Sequence, residues 1–348
     1  MNYHGKKVYI GIDVHKKFYV FTAICGDEIV KKARVEARPE VFSHQIKKWF
    51  KYAQISSAYE AGFSGFRLHR ELVKVGIKNI VVNPASIPVE ANDKTKTDKR
   101  DSLKIASKLS KNDLRPIYVP SQEEELERLL PRTREQILKM KTKIGNQIKS
   151  KLHQFGLIDC FDETVISQKF IDSVLDMNLP FELKISIEIL AGHWTALNHS
   201  LSRMRSLYKS QAANKPEIER IYRSAPGIGD VSARLLATEL GDMSRFTSIK
   251  KLYCYTGFTP CEYSSGEHVR RGHISRQGSG RIRHVLTEAA WRAIDQDIAL
   301  RESFERISKK AGKKKAIVAI ARKMIGRLRA CLKNQQEYTL NIGRQLVC

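Results

Sequence analysis

The chain has 348 residues, enough for two domains that each bury a core, and its 62 Lys and Arg against 37 Asp and Glu leave a formal net charge of +25. A surplus of that size points to a polyanionic partner, the other reading being a generally basic, well-solvated surface. Six cysteines without a repeated short spacing fit a reducing compartment rather than a disulfide framework. The start lacks a long apolar segment and no uncharged apolar run is long enough to span a bilayer, so a soluble, cytoplasmic protein with no membrane partner is expected.

Val8 to Asp13 reads as a short apolar strand, followed by Phe18 to Ile24 and Glu28 to Glu36; Gly26-Asp27 between the last two is a hairpin signal. Pro39 to Tyr52 is predicted helical, with Val41, Phe42, Ile46, Trp49 and Phe50 on one face. A strand from Ser56 to Tyr59 ends at Glu60, a helix covers Phe66 to Val75, and Lys78 to Val82 is again strand-like. A polar stretch, Asn83 to Thr97, precedes a helix that begins near Asp98. Three antiparallel strands followed by helix–strand–helix–strand predict a mixed sheet covered by helices, the element order of an RNase H-like fold.

From Ser121 to about Ser210 the composition is dominated by Leu, Ile, Lys, Glu and Gln. Leu126, Leu129, Leu130, Ile137, Met140, Ile144, Ile148 and Leu152 recur at helical spacing, so long paired helices are expected, either a coiled-coil-like arm for self-association or a bundle packed on the first domain. Farther on, Ala225-Pro-Gly-Ile-Gly-Asp230 opens a helix over VSARLLATEL and has the look of a helix-hairpin-helix element. In such an element Gly227 and Gly229 would present backbone N–H groups to a phosphate, although a purely structural helix start needs the same glycines. A Gly- and Arg-rich segment, Thr256 to Arg283, follows, then an apolar helix from Val285 to Ile294 and an amphipathic one from Lys313 to Arg329. The stretch from Ile221 to Cys331 carries 22 Lys and Arg against 10 Asp and Glu, which favours nucleic acid over a uniformly solvated coat. The expected division is 1–115, 116–215 and 216–348: an α/β domain, a helical linker for assembly and a mostly helical domain.

Four carboxylates stand out by position. Asp13 ends the first strand in GIDVHK, Glu60 ends a later one in AYEAG, and Asp98 and Asp101 are spaced D-x-x-D on one helical turn. Each alone reads as a surface or capping residue. Acids at two strand ends with a paired set on a helix need a cation, and hard ions such as Mg²⁺ take oxygen ligands of this kind. In phosphoryl transfer two such ions, about 4 Å apart, stabilise attacking and leaving oxygens.

A second constellation lies in YTGFTPCEYSSGEHVRRGHISRQGSGRIRHVL. It sets Ser264, Ser265, Ser275 and Ser279 among Arg270, Arg271, Arg276, Arg281 and Arg283, with His268 and His273 nearby. A serine surrounded by guanidinium groups suits attack on a phosphate; a loop that only grips a nucleic-acid backbone has the same composition. Cys254, Cys261, His268 and His273 do not have the short paired spacings of zinc sites.

Together these segments resemble the DEDD transposases of insertion-sequence family 110, relatives of the Piv DNA invertase. The resemblance rests on GIDVHK, YEAG and TDKRDS, then APGIG, LYCYTGFTP, SSG and HISRQGSGRIRHVL in that order, and it covers nearly the whole chain except the middle helices. It implies a RuvC-like, RNase H-fold domain in which Asp13, Glu60, Asp98 and Asp101 hold Mg²⁺ (or Mn²⁺), a helical linker used in assembly, and a C-terminal transposase domain. Ser265 of the Ser-Gly motif would become covalently joined to DNA, with Ser264 directly before it as the other candidate. Where the family shows Lys-x-Gly-Asn this chain has Arg276-Gln277-Gly278-Ser279, which keeps the basic side chain. The implied activity is excision and insertion of the protein's own mobile element, by a homo-oligomer (dimer or tetramer) acting with DNA and a non-coding guide RNA. A hydrolytic RuvC-type nuclease without a covalent step is the alternative.

Overall fold

The structure is a computed structural model that describes residues 3–87, 98–161, 165–211, 216–262 and 271–341. The chain divides into two compact units, Met1–Ser121 and Gln122–Cys348.

In the first unit, β1 (Lys7–Val14), β2 (Phe18–Cys25), β3 (Glu28–Glu36), β4 (Gln54–Glu60) and β5 (Lys78–Val82) form one sheet in the order β3-β2-β1-β4-β5. The first three strands are antiparallel, because short turns join neighbours, of three residues between β1 and β2 and of two between β2 and β3; Gly26, with φ 64°, provides the left-handed residue of the β2–β3 turn. β4 and β5 run parallel to β1 and are reached through helices, α1 (Pro39–Trp49) and α2 (Arg67–Lys74). Alternation along the strands fills two cores. Ile10, Ile12, Phe21 and Tyr59 pack with Phe42 and Ile46 of α1 and Leu68 and Leu72 of α2 on one face. Ala58 and Val82 pack with Ile105 of α3 (Asp98–Ser110) on the other. α1 stops earlier than its apolar pattern predicts: Phe50 caps it and Tyr52 turns to φ 61°, which ends the helical path before β4.

The second unit is mostly helical. α4 (Gln122–Gln154), α5 (Gln168–Leu175) and α6 (Phe181–Gln211) share a core around Ile148, Leu152, Phe170 and Trp194. The apolar stripe read along α4 is split: Ile148 and Leu152 are in that core, while Leu126, Leu129 and Met140 are exposed. α7 (Pro216–Ser224), α8 (Asp230–Leu240), α9 (Ile249–Thr256), α10 (Gly280–Gln296), α11 (Ile298–Ala311) and α12 (Lys313–Asn334) surround a larger core with Tyr222, Leu236, Leu252, Leu286 and Met324. A two-stranded ribbon, β6 (Pro260–Glu262) with β7 (Arg271–Ile274), lies between α9 and α10 in sequence. The apolar face of α12, including Ile317, Ile320, Ile325 and Leu328, is buried in this core. No helix among the described residues is long and apolar enough to cross a membrane.

Candidate metal centre

The centre forms where β1 runs out beneath the start of α3. Ile10 and Ile12 face α1 and α2, so by the two-residue period Gly11 and Asp13 face α3. Gly11 sets the distance. A Cβ at that position would lie 2.1 Å from the Ser102 carbonyl oxygen and 2.3 Å from the Ala106 amide nitrogen, so only glycine lets the helix backbone settle on the strand. The Thr22 hydroxyl, opposite Gly11 in the ladder, is 2.9 Å from the buried Ser102 hydroxyl and pins the helix there. One turn nearer the helix start, Asp98 and Asp101 arrive beside Asp13.

His15, two residues past Asp13, completes the cluster. Its Nε2 is 3.1 Å from Oδ2 of Asp13 and 3.3 Å from Oδ2 of Asp98. The ring is steadied by Phe18, with centroids 4.6 Å apart, and by the turn in which the His15 amide donates to the Phe18 carbonyl. Ligand atoms of Asp13, His15 and Asp98 all lie within 4.8 Å of one another, a set able to hold a metal ion. Burial pushes the Asp13 carboxyl above its ordinary value; His15 pulls it down, and the negative charges of Asp98 and Asp101 push it up again. Two hard carboxylate donors, a third acid nearby and an environment that resists negative charge are together the chemistry that a divalent cation satisfies.

Glu60 ends β4, next to β1. The register Gly11↔Ala58 and Ile12↔Tyr59, with Tyr59 in the α1–α2 core and Ala58 in the α3 core, puts Glu60 on the α3 side, as Asp13 is. All four predicted acids therefore belong to one end and one face of the sheet, and the closest grouping is Asp13, Asp98 and His15. Sequence reasoning passed over His15. The available signal was the D-x-H spacing, which in an extended chain returns both side chains to one side.

The C-terminal candidates fare differently. Ser264, Ser265, His268 and Arg270 lie outside the described residues. Arg271 begins β7, opposite Glu262. Arg276 is exposed and has φ 55°. Arg283 is used internally: its Nη1 donates to the carbonyls of Thr256 and Gly278, each at 2.9 Å. It ties α9 to the segment before α10, where Gly257 and Gly278 approach so closely that a Cβ on Gly278 would be 2.1 Å from the Tyr255 oxygen. Arg281 is bonded to Glu135 of α4. Gly227 has φ 77°, and a Cβ there would meet the Ala289 oxygen at 2.6 Å, so packing on α10 accounts for it. Gly229 caps α8 in open surroundings, without any side-chain cap.

Two family profiles match this chain in order. The profile for DEDD transposases of IS110 covers residues 10–156, which include Asp13, Glu60, Asp98 and Asp101, and the profile described as "Transposase IS116/IS110/IS902 family" covers residues 219–305. The chain belongs to the IS110 family of transposases. It is similar to y4qE of Sinorhizobium fredii, assigned as a transposase, at 28% identity over 82% of this chain and 72% of the relative. The transposase for insertion sequence element IS1533 of Leptospira borgpetersenii is 27% identical over 82% and 85% of the two chains. That for IS1111A of Coxiella burnetii is 22% identical over 94% and 90%. This IS110-family transposase is thus an enzyme acting on DNA, and its acidic cluster falls inside the region that the DEDD profile matches.

Proposed function

We propose that this transposase excises and inserts its own insertion sequence by metal-dependent cleavage and rejoining of DNA strands. The observation that carries the reading is the meeting of Asp13, Asp98 and His15 at the end of β1. The sheet order, with three antiparallel strands and two parallel ones behind helices on both faces, supports an RNase H-like, RuvC-like assignment for the first unit. Asp13, Glu60, Asp98 and Asp101 would hold Mg²⁺, or Mn²⁺, since both ions take carboxylate oxygens. A bound divalent ion supplies charge stabilisation at a phosphodiester. The protein's own part is to hold the acids together. Gly11 fixes the approach of α3, the start of that helix favours the Asp98 anion, and His15 bridges the two carboxylates.

For the strand exchange we assign Ser265 as nucleophile. Its Oγ forms a bond to a DNA phosphorus while the bond from phosphorus to the leaving nucleoside oxygen breaks. The serine proton is released and the leaving oxygen takes one up. Rejoining reverses these changes, so the phosphodiester is conserved. Arg270, Arg271 and Arg276, close in sequence, would neutralise charge at the phosphate, and the uncapped start of α8 at Gly229 offers backbone N–H groups to the strand, in the manner of a helix-hairpin-helix. Residues 116–215 would serve assembly into a dimer or tetramer, and a non-coding RNA of the element would choose the target.

A denaturing gel tests this with the full chain, Mg²⁺, the flanking RNA and labelled element-end DNA. A covalent protein–DNA adduct is expected, lost in Ser265→Ala and in Asp13→Asn and kept in Ser264→Ala. Cleaved DNA without an adduct, unchanged by Ser265→Ala, would leave the hydrolytic nuclease as the function.

A further inference from the structure

We infer that a groove in the second unit, formed by α4, α6, α8 and α10, binds a phosphodiester of a nucleic-acid strand through Tyr208 and Arg134. The inference rests on the reading that the protein acts on nucleic acid, and it adds a binding site apart from the metal centre. The groove encloses about 830 Å³, and much of its wall is apolar surface, to which Leu138, Val231, Leu235 and Val285 contribute. A cavity of this size exceeds what an inorganic anion needs and accommodates a nucleotide with its base against the apolar wall.

Two buried donors in the groove have no acceptor among the described residues. Tyr208 is only 4% exposed, and its hydroxyl has no hydrogen-bond partner among them; neither has the buried Nε–H of Arg134. Burial pushes the Tyr208 phenol up to about 12, against the pull of Arg134 and Arg234, so the group remains an O–H donor facing guanidinium groups. Leaving such donors unmet is costly, and what both lack is an acceptor oxygen. The surroundings specify an anionic one. Lys139, Arg281 and His284 also line the groove; of the acids there, Glu135 already accepts from Lys139 and Arg281, which leaves Glu288. Burial alone would raise the Glu135 carboxyl, yet its bonds to Lys139 and Arg281 hold it below its ordinary value.

Helix starts converge on the same place. Val231 and Ser232 in the first turn of α8 and Gly280 and Arg281 in the first turn of α10 line the groove, and α8 has no side-chain cap to occupy its first amides. First-turn N–H groups are donors without intrahelical partners and favour a phosphate. The independent orphan donors from α4 and α6 are what turn these helix starts into a site.

The test is anisotropy of fluorescein-labelled 12-nucleotide strands, one deoxy and one ribo, titrated with the full chain in EDTA. Tyr208→Phe removes one unbonded oxygen and keeps the ring; it is expected to weaken binding about tenfold, the scale of one hydrogen bond to a charged group. Arg134→Gln is expected to do at least as much, and to lower the slope of log affinity against log salt by about one. Loss with either strand supports the site and says which strand it takes. Unchanged affinity for both strands in both variants, with melting temperatures at or above that of the wild type, overturns it. Because EDTA removes the metal from the measurement, this result is read separately from adduct formation, and either reading survives the failure of the other.

Discussion

Asp13 is held where its anion is disfavoured, and that is a measurable liability when no cation is bound. Burial is the largest influence on it, and the neighbouring Asp98 and Asp101 act in the same direction, only partly offset by His15. A carboxyl raised in the fold contributes stability that is fully present below its ordinary value of 3.8 and is lost as pH rises through the raised one. In EDTA at neutral pH, Asp13→Asn is therefore expected to stabilise the protein by about 0.5–2 kcal/mol, the usual yield of relieving a strained active site. The gain should fade as pH falls toward the ordinary value, and millimolar Mg²⁺ should raise the melting temperature of the wild type only. A variant less stable than the wild type at neutral pH would show that the His15–Asp13 contact outweighs burial. The four acids were legible from strand ends and a D-x-x-D pair because those positions follow from local periodicity. His15, the packing role of Gly227 and the internal bonds of Arg281 and Arg283 were not, because each depends on a partner far away in sequence: α3, α10, Glu135 and the Thr256 carbonyl.

At the scale of elements, α4 is the least expected part. Its composition announces a long helix, and the helix runs through Pro131 without breaking. What the pattern does not announce is that its polar side chains, rather than its leucines, attach it to α8. The Arg128 Nε donates to the Thr238 carbonyl at 3.0 Å, and Arg132 makes a two-pronged contact to Glu239 at 2.8 and 3.0 Å. Glu239 is nearly sealed from solvent while Arg132 is 41% exposed, so the pair is half-screened. Glu239→Ala is expected to cost about 1–3 kcal/mol in urea denaturation, below the full loss for a buried pair because Arg132 regains water. A loss under about 0.5 kcal/mol would mean that apolar packing alone fixes α4 on α8. The strands, by contrast, were readable almost residue by residue, since alternation and the Gly26-Asp27 turn dictate both the antiparallel ladder and which side of β1 and β4 faces α3. The short β6–β7 ribbon was not, having no alternation to reveal it.

For the whole molecule the governing quantity is the surplus of 62 Lys and Arg over 37 Asp and Glu. Some of the 62 cations are paired inside the fold: Arg132, Arg234, Arg281 and Arg327 each sit on a carboxylate, which takes equally from both signs and leaves the surplus itself intact. The rest is available to a polyanion, as the run Lys313-Lys314-Lys315 at the start of α12 illustrates, with all three side chains exposed. Two accounts of that remainder make different forecasts. A solvated basic coat meets few phosphates at once and gives a shallow dependence of affinity on salt. A surface that engages a strand along its length meets many, and each phosphate contact adds about 0.7 to 0.9 to the slope of log affinity against log salt. With six or more contacts, affinity for a 30-base-pair duplex should fall by about 10³ or more between 50 and 200 mM salt. Anisotropy titrations at four salt concentrations in EDTA measure this slope directly. A slope of about five or more is expected; one near one or two would mean that the charge serves solubility and that recognition rests on a few discrete contacts.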